Sequence, residues 1–230
     1  MTIAFAREGA DVVLSYRPEE EEDAARIAAL VEQAGRKAVR IPGDLKDRDY
    51  CTELVATAVA ELGGLDILVN NGGKQVFVEH LEDLSDEQFD DTFKTNVYAT
   101  FWLTKEALPH LKPGSTIINT TSLESYKPSP ILVDYATTKA SINAFTKSVA
   151  QQLAERGIRV NAVAPGPVWT PLEVSAGQPP EKLPHFGETT PLGRPGQPAE
   201  LAPAHVFLAS AESSFVLGDT LNVNGGMPTP

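Results

Sequence analysis

The chain has 230 residues, 42% hydrophobic and 22% charged, an ordinary globular composition long enough for one substantial core. Its formal net charge of -12, with no basic block longer than Gly35-Arg36-Lys37, argues against nucleic acid or an anionic membrane as the main partner. The single Cys51 excludes an internal disulfide and a thiolate metal site, and His80, His110, His185 and His205 show no ligand spacing, so no metal is expected and a reducing cytoplasm is the natural compartment.

No apolar run reaches the roughly 18 residues that suggest a membrane span, and Arg7 and Glu8 interrupt the first segment before a secretory pattern develops. Residues 1–8 have helical character and Gly9 is placed to end a helix in the left-handed conformation, so the chain is expected to begin inside a helix. Residues 11–16 read as a short apolar strand. Arg17-Pro18 and the acidic run over 19–23 then open a helix, because proline and carboxylates in a first turn suit its free amides and dipole. A second strand over 37–42 leads to Gly43-Asp44-Leu45. Asp47 caps the next helix, whose Cys51, Leu54, Val55, Ala58 and Leu62 form an apolar stripe ended by Gly63-Gly64.

The strand over 65–69 runs straight into Asn70-Asn71-Gly72-Gly73. Ser85 and Gln88 have capping-box spacing at the start of a helix predicted to continue to about residue 111, with Asn96 inside it. A strand over 115–121 delivers Ser122, and a helix over 134–156 carries Ile142, Phe145, Val149 and Leu153 on its buried side. The strand over 158–163 ends at Pro165-Gly166-Pro167. Residues 167–198 are dense in proline and glycine, the composition of a long surface excursion that serves as a lid or binding loop. A helix over 199–209 and a strand over 220–223 complete the pattern. Such alternation predicts a single α/β domain, a Rossmann-like doubly wound parallel sheet. Ligands of these sheets bind at the carboxyl ends of the strands, where Asp44, Asn71, Ser122, Pro165 and Gly166 fall.

Tyr135 and Lys139 stand four residues apart on the helix over 134–156, so phenol and ammonium point to one side of it. A nearby cation lowers a phenol's pKa from its usual value of about 10, which lets the pair move protons. Taken alone, the spacing equally fits a packed tyrosine beside a solvated lysine.

Over residues 1–226 the sequence resembles the short-chain dehydrogenase/reductase family. Leu68-Val69-Asn70-Asn71-Gly72-Gly73 is similar to the family's N-N-A-G segment, with Gly72 in place of alanine. Asn96, Ser122, Tyr135 and Lys139 fall where its Asn-Ser-Tyr-Lys set does, and Pro165-Gly166 matches its P-G motif. Arg17-Pro18-Glu19, Gly43-Asp44-Leu45 and residues 165–171 look most like bacterial NADP(H)-linked aldehyde or ketone reductases of the general-stress type.

The resemblance implies an oxidoreductase moving hydride between NADP(H) and a small carbonyl or alcohol substrate. Tyr135 would exchange the proton, Lys139 would lower its pKa and hold the nicotinamide ribose, Ser122 would hydrogen-bond the reacting oxygen, and Asn96 would anchor a water serving Lys139. Asp44 and Leu45 would meet the adenine, Asn71, Gly72 and Gly73 the adenosine ribose side, and Pro165, Gly166, Val168 and Thr170 are further expected cofactor contacts. At the end of the strand over 11–16, Tyr16-Arg17 replaces the acidic residue that suits a ribose 2′-hydroxyl, which favours NADP(H) over NAD(H). Arg17 also reads as an exposed turn residue, with the acidic run close by. Homotetramers are implied, pairing the helices that carry Asn96 and Tyr135, with Ile142, Phe145 and Val149 near the interface.

One departure stands out. No G-x-x-x-G-x-G or G-x-G-x-x-G occurs, so the first strand of such a sheet and its phosphate-cradling turn are missing. The missing strand belongs in the middle of the sheet, and its loss is expected to open two edges and an apolar slot. Two expectations follow: a fragment of a longer reading frame, or a degenerate relative that is non-catalytic and acts only through subunit association. Either way, this polypeptide is expected to bind NADPH weakly.

Overall fold

Short β-branched runs set the strands, and glycines past the helix ends set the breaks between elements. Gly63, for example, closes its helix at φ +76°, a conformation that costs residues with a Cβ but not glycine. The computed structural model describes residues 1–229. Its strands are β1 (Val12–Tyr16), β2 (Ala38–Pro42), β3 (Ile67–Asn70), β4 (Thr116–Thr120), β5 (Arg159–Pro165) and β6 (Thr220–Val223). Its main helices are α1 (Thr2–Arg7), α2 (Glu21–Gln33), α3 (Arg48–Leu62), α4 (Asp86–Phe93), α5 (Ala99–Ala107), α6 (Val133–Leu153) and α7 (Pro198–Ala209). Asp47 caps α3 by accepting from the Asp49 amide at 2.8 Å, and Ser85 caps α4 by accepting from the Gln88 amide at 3.1 Å.

All pairings are parallel, and both faces are covered. Ile117 and Ile118, neighbours on β4, are fully buried on opposite faces. Ile117 packs with Cys51, Leu54, Leu103 and Leu153 under α3, α5 and α6, and Ile118 with Phe5, Val163, Leu201 and Leu208 under α1 and α7. Among the described residues no helix is long and apolar enough to cross a membrane.

The doubly wound arrangement is present, but the sheet is in two pieces. β1 pairs only with β2, and the other piece runs β3-β4-β5-β6. Between β1 and β3 lies a cavity of about 720 Å³. Its walls explain a contrast in burial: Ile117, Ile118, Val160 and Val163 are fully buried, whereas Val12, Val13 and Leu14 of β1 and Ile67, Leu68 and Val69 of β3 are only half-buried. The cavity is the expected apolar slot between these strands.

Two elements differ from expectation. The helix predicted over 85–111 is broken by a π-helical turn, Lys94–Tyr98, between α4 and α5. Asn96 sits in that turn, and its side-chain amide bonds the backbone of Lys74 on another segment. The excursion over 167–198 is not devoid of regular structure, since it contains a π-helical turn, Glu173–Gly177, and a 3₁₀ segment, Pro180–His185.

Candidate active site

The first turns of α6 place Tyr135, Thr138 and Lys139 beside the end of β4. Tyr135 is 8% exposed and Lys139 3%, with the ammonium 5.5 Å from the centre of the phenol ring. Lys139 Nζ donates to the Thr120 carbonyl at 2.8 Å and takes part in no ion pair among the described residues. Burial disfavours its charge and brings its pKa down to about 8. Burial also pushes the Tyr135 phenol up, against the lowering influence of the Ser122 hydroxyl and with further upward pressure from the Glu173 and Glu124 carboxylates. Loss of water thus outweighs the lowering expected from Lys139, whose ammonium faces the ring.

Ser122 leaves β4 8% exposed, and its Oγ accepts from the Glu124 amide at 3.1 Å. It is thus both a strand-end cap and a neighbour of the phenol. Asn96 is fully buried. Its Oδ1 accepts from the Lys74 amide at 2.7 Å, and its Nδ2 donates to the Lys74 carbonyl at 3.0 Å and to Thr138 Oγ1 at 2.9 Å. Both amide hydrogens are therefore taken, and the side chain clamps the segment after β3 onto α6. Gly73 belongs to that segment. A Cβ there would lie 3.6 Å from both Asn96 Oδ1 and Lys139 Nζ, so Gly73 keeps an open face beside the ammonium.

The remaining sequence candidates lie along the strand ends. Asp44 follows β2 and accepts from the Lys46 amide at 2.9 Å. Leu45 lies so close over Gly72 that a Cβ there would come within 2.3 Å of its Cδ1. Asn71 Oδ1 accepts from Thr120 Oγ1 at 2.9 Å, tying the ends of β3 and β4. Gly166 has a packing reason of its own, because a Cβ would meet the Asn224 backbone at 2.6 Å. Pro165 pairs with Val223, Val168 bridges to Gly196, and the Thr170 carbonyl accepts from the Glu173 amide at 3.2 Å. Arg17 follows β1 and is exposed, with its Nε donating to Glu19 at 2.6 Å.

Three residues at the site were not among the sequence candidates. Thr138 links the Asn96 amide to the Tyr135 carbonyl, to which it donates at 2.7 Å. Gln75, 5% exposed, donates to the Gly177 carbonyl at 2.8 Å and to Glu173 at 3.3 Å, fastening the excursion to the segment after β3. Glu173 is 9% exposed, and burial raises its pKa to about 7. A lone glutamate in an aperiodic stretch carries no pattern to read. Thr138 was findable, since it lies between Tyr135 and Lys139 on one helical turn.

A parallel doubly wound sheet with a buried tyrosine, lysine and serine at its strand ends defines a class, the oxidoreductases that work on a bound dinucleotide. Residues 1–228 match the family model described as enoyl-(acyl carrier protein) reductase. General stress protein 39 of Bacillus subtilis is 53% identical over 226 residues, spanning 98% of this chain and 78% of the relative. NADPH-dependent aldehyde reductase 1, chloroplastic, of Arabidopsis thaliana is 42% identical over 228 residues, 96% of this chain and 79% of the relative. Among solved structures, a short-chain dehydrogenase from Burkholderia cenocepacia in complex with NADP superposes with a TM-score of 0.89 at 30% identity, covering 98% of this chain and 91% of the other. The chain belongs to the short-chain dehydrogenase/reductase family.

Proposed function

We propose that the chain is built for NADP(H)-linked reduction of a small aldehyde or ketone, or the reverse oxidation, with Tyr135 as the proton-transferring group. The observation that carries this reading is the buried Tyr135–Lys139 pair on α6, with Ser122 beside the phenol. The phenol carries its proton at neutral pH and so enters the reaction as the acid toward a carbonyl oxygen, although burial raises the cost of giving that proton up. Ser122 is placed to hydrogen-bond that oxygen as charge develops on it. Lys139 then stabilises the phenolate that the transfer leaves behind.

A bound NADP(H) would supply the hydride. The nicotinamide end of such a cofactor fits this site, because Lys139 has donor hydrogens beyond the one given to Thr120 and Gly73 leaves their approach open. Asn71, Gly72, Asp44 and Leu45 line the route toward the adenine, followed by Arg17 for a 2′-phosphate. The Arg17–Glu19 pair is exposed and weak, so a phosphate can displace the carboxylate. NADP(H) over NAD(H) is supported by the NADP complex of the Burkholderia structure and the name of the Arabidopsis relative. Pro165, Gly166, Val168 and Thr170 would frame the nicotinamide side.

We place the protein in the cytoplasm, as a homotetramer, an assembly favoured by the exposed Phe89 of α4, Tyr98 of the π-helical turn and Phe101 of α5. A second reading, a weakly binding or non-catalytic member acting through association, is favoured by the divided sheet. Turnover of a panel of small aldehydes at high NADPH, with Tyr135→Phe as control, separates the two. Loss of about a hundredfold or more in the variant supports the first reading, and no turnover by the parent chain supports the second.

A further inference from the structure

We propose that Asp134 is a positioning residue of the proton-transfer site, its buried carboxylate holding the backbone of Tyr135 and fastening it to α4. The first amides of a helix have no partner within it, and a Ser, Thr, Asp or Asn ahead of the first turn usually accepts from one of them. Leu132 occupies that place in α6 and offers no side-chain acceptor. Asp134, inside the first turn, supplies one instead. Its Oδ1 accepts from the Tyr135 amide at 2.8 Å. Its Oδ2 accepts from Thr92 Oγ1 at 2.7 Å and from Gln88 Nε2 at 3.3 Å, both on α4.

A cap alone does not explain this residue. Asp134 is 1% exposed and takes part in no ion pair among the described residues. A carboxylate out of water is costly unless donors surround it, whereas a serine or asparagine in place of Leu132 would satisfy an amide without burying charge. What the carboxylate adds is the tie to α4, and a second tie lies one turn along. Asn96 donates to Thr138 Oγ1 at 2.9 Å, and Thr138 donates to the Tyr135 carbonyl at 2.7 Å. Residues 92 and 96 are four apart, as are 134 and 138, so two rungs join α6 to α4 and the π-helical turn after it. Tyr135 sits between them, its N–H held by one rung and its C=O by the other. Helix ends fray readily, and a displacement of about 1 Å at a reacting group costs about a hundredfold in rate. The carboxylate thereby fixes where the phenol stands against Ser122 and Lys139.

The inference rests on Tyr135 being the proton-transferring group, so the test follows the phenol itself as well as turnover. Tyrosine labelled with carbon-13 at Cζ gives a resonance for each of the five tyrosines, and Tyr135→Phe identifies that of Tyr135. In folded Asp134→Ala that resonance should move toward those of the other tyrosines, and its titration should fall toward the ordinary tyrosine value of about 10. Asp134→Asn should stay close to the parent. Its Oδ1 still accepts from the Tyr135 amide, and its Nδ2 donates to Thr92 as that hydroxyl turns to the Gln88 carbonyl, 2.9 Å away. Thr92→Val withdraws the donor on α4 and should shift the resonance in the same direction by less; it decides alone if Asp134→Ala does not fold. With a small aldehyde and saturating NADPH, Asp134→Ala should lower kcat at least about tenfold at a nearly unchanged KM, against about threefold at most for Asp134→Asn. An unmoved Tyr135 resonance in a folded but less stable variant makes the role purely structural and overturns the proposal. So does an Asp134→Asn as damaging as Asp134→Ala, which would assign the effect to the charge. A parent chain without turnover defeats the proton-transfer reading alone, and the resonance then decides the positioning.

Discussion

Tyr135 and Lys139 occupy neighbouring positions on one face of α6, and each has lost nearly all contact with water. Their shared burial keeps the phenol protonated and makes the ammonium easy to discharge, the reverse of what two solvated groups would do. Between pH 8 and 10.5 the unfolded chain retains a proton that folded Lys139 has released, so stability should rise with pH across that window. Below pH 8 both states carry the proton, and the full cost of burying the charge remains. Lys139→Met is expected to flatten the rise and to stabilise the protein at pH 7 by on the order of 2 kcal/mol, after loss of the Thr120 hydrogen bond. Thermal melts from pH 7 to 10.5 check this, and an unaltered pH profile in the variant contradicts it. The sequence exposed the pair's spacing, but not the sign of the Tyr135 shift, because that depends on burial by segments far away in the chain.

At the scale of elements, the π-helical turn and the excursion over 167–198 hold the site together. Asn96 couples the turn to Lys74 and to Thr138, so Asn96→Ala removes three buried hydrogen bonds at once. It should cost roughly 2–4 kcal/mol in urea unfolding, and a loss under about 0.5 kcal/mol would show that the clamp does little. Glu173, raised to about 7, holds its proton in the folded chain at pH values where the unfolded chain has given it up. Its contribution is complete below pH 4.5 and is lost as pH rises to 7. Glu173→Gln should remove that decline, shifting the urea midpoint upward at pH 8 but hardly at pH 4.5; equal shifts at both would assign the effect to packing. Helix and strand order was readable from glycine stops and apolar periodicity, whereas the π turn was not, since Asn96 is set there by a partner 22 residues earlier in the chain.

For the whole molecule, the divided sheet is the governing feature. It was legible in advance because a doubly wound fold fixes which strands flank its centre, and β1 and β3 indeed stand apart with half-buried apolar faces. The open interior beside Asn71 and Gly72 leads to one expectation: NADPH binds weakly to the 230-residue chain, with a dissociation constant above about 100 μM by fluorescence titration, and low-micromolar binding would contradict it. Weak binding does not remove the proton-transfer site, which rests on β4 and α6 away from the gap. The most direct measurement is therefore label transfer from NADPH deuterated at the reactive nicotinamide carbon to a small aldehyde, read by mass spectrometry at saturating cofactor. The parent chain should place deuterium on the carbinol carbon, with Tyr135→Phe at least about a hundredfold slower. No transfer by the parent chain, or equal transfer by both, would contradict the assignment of Tyr135.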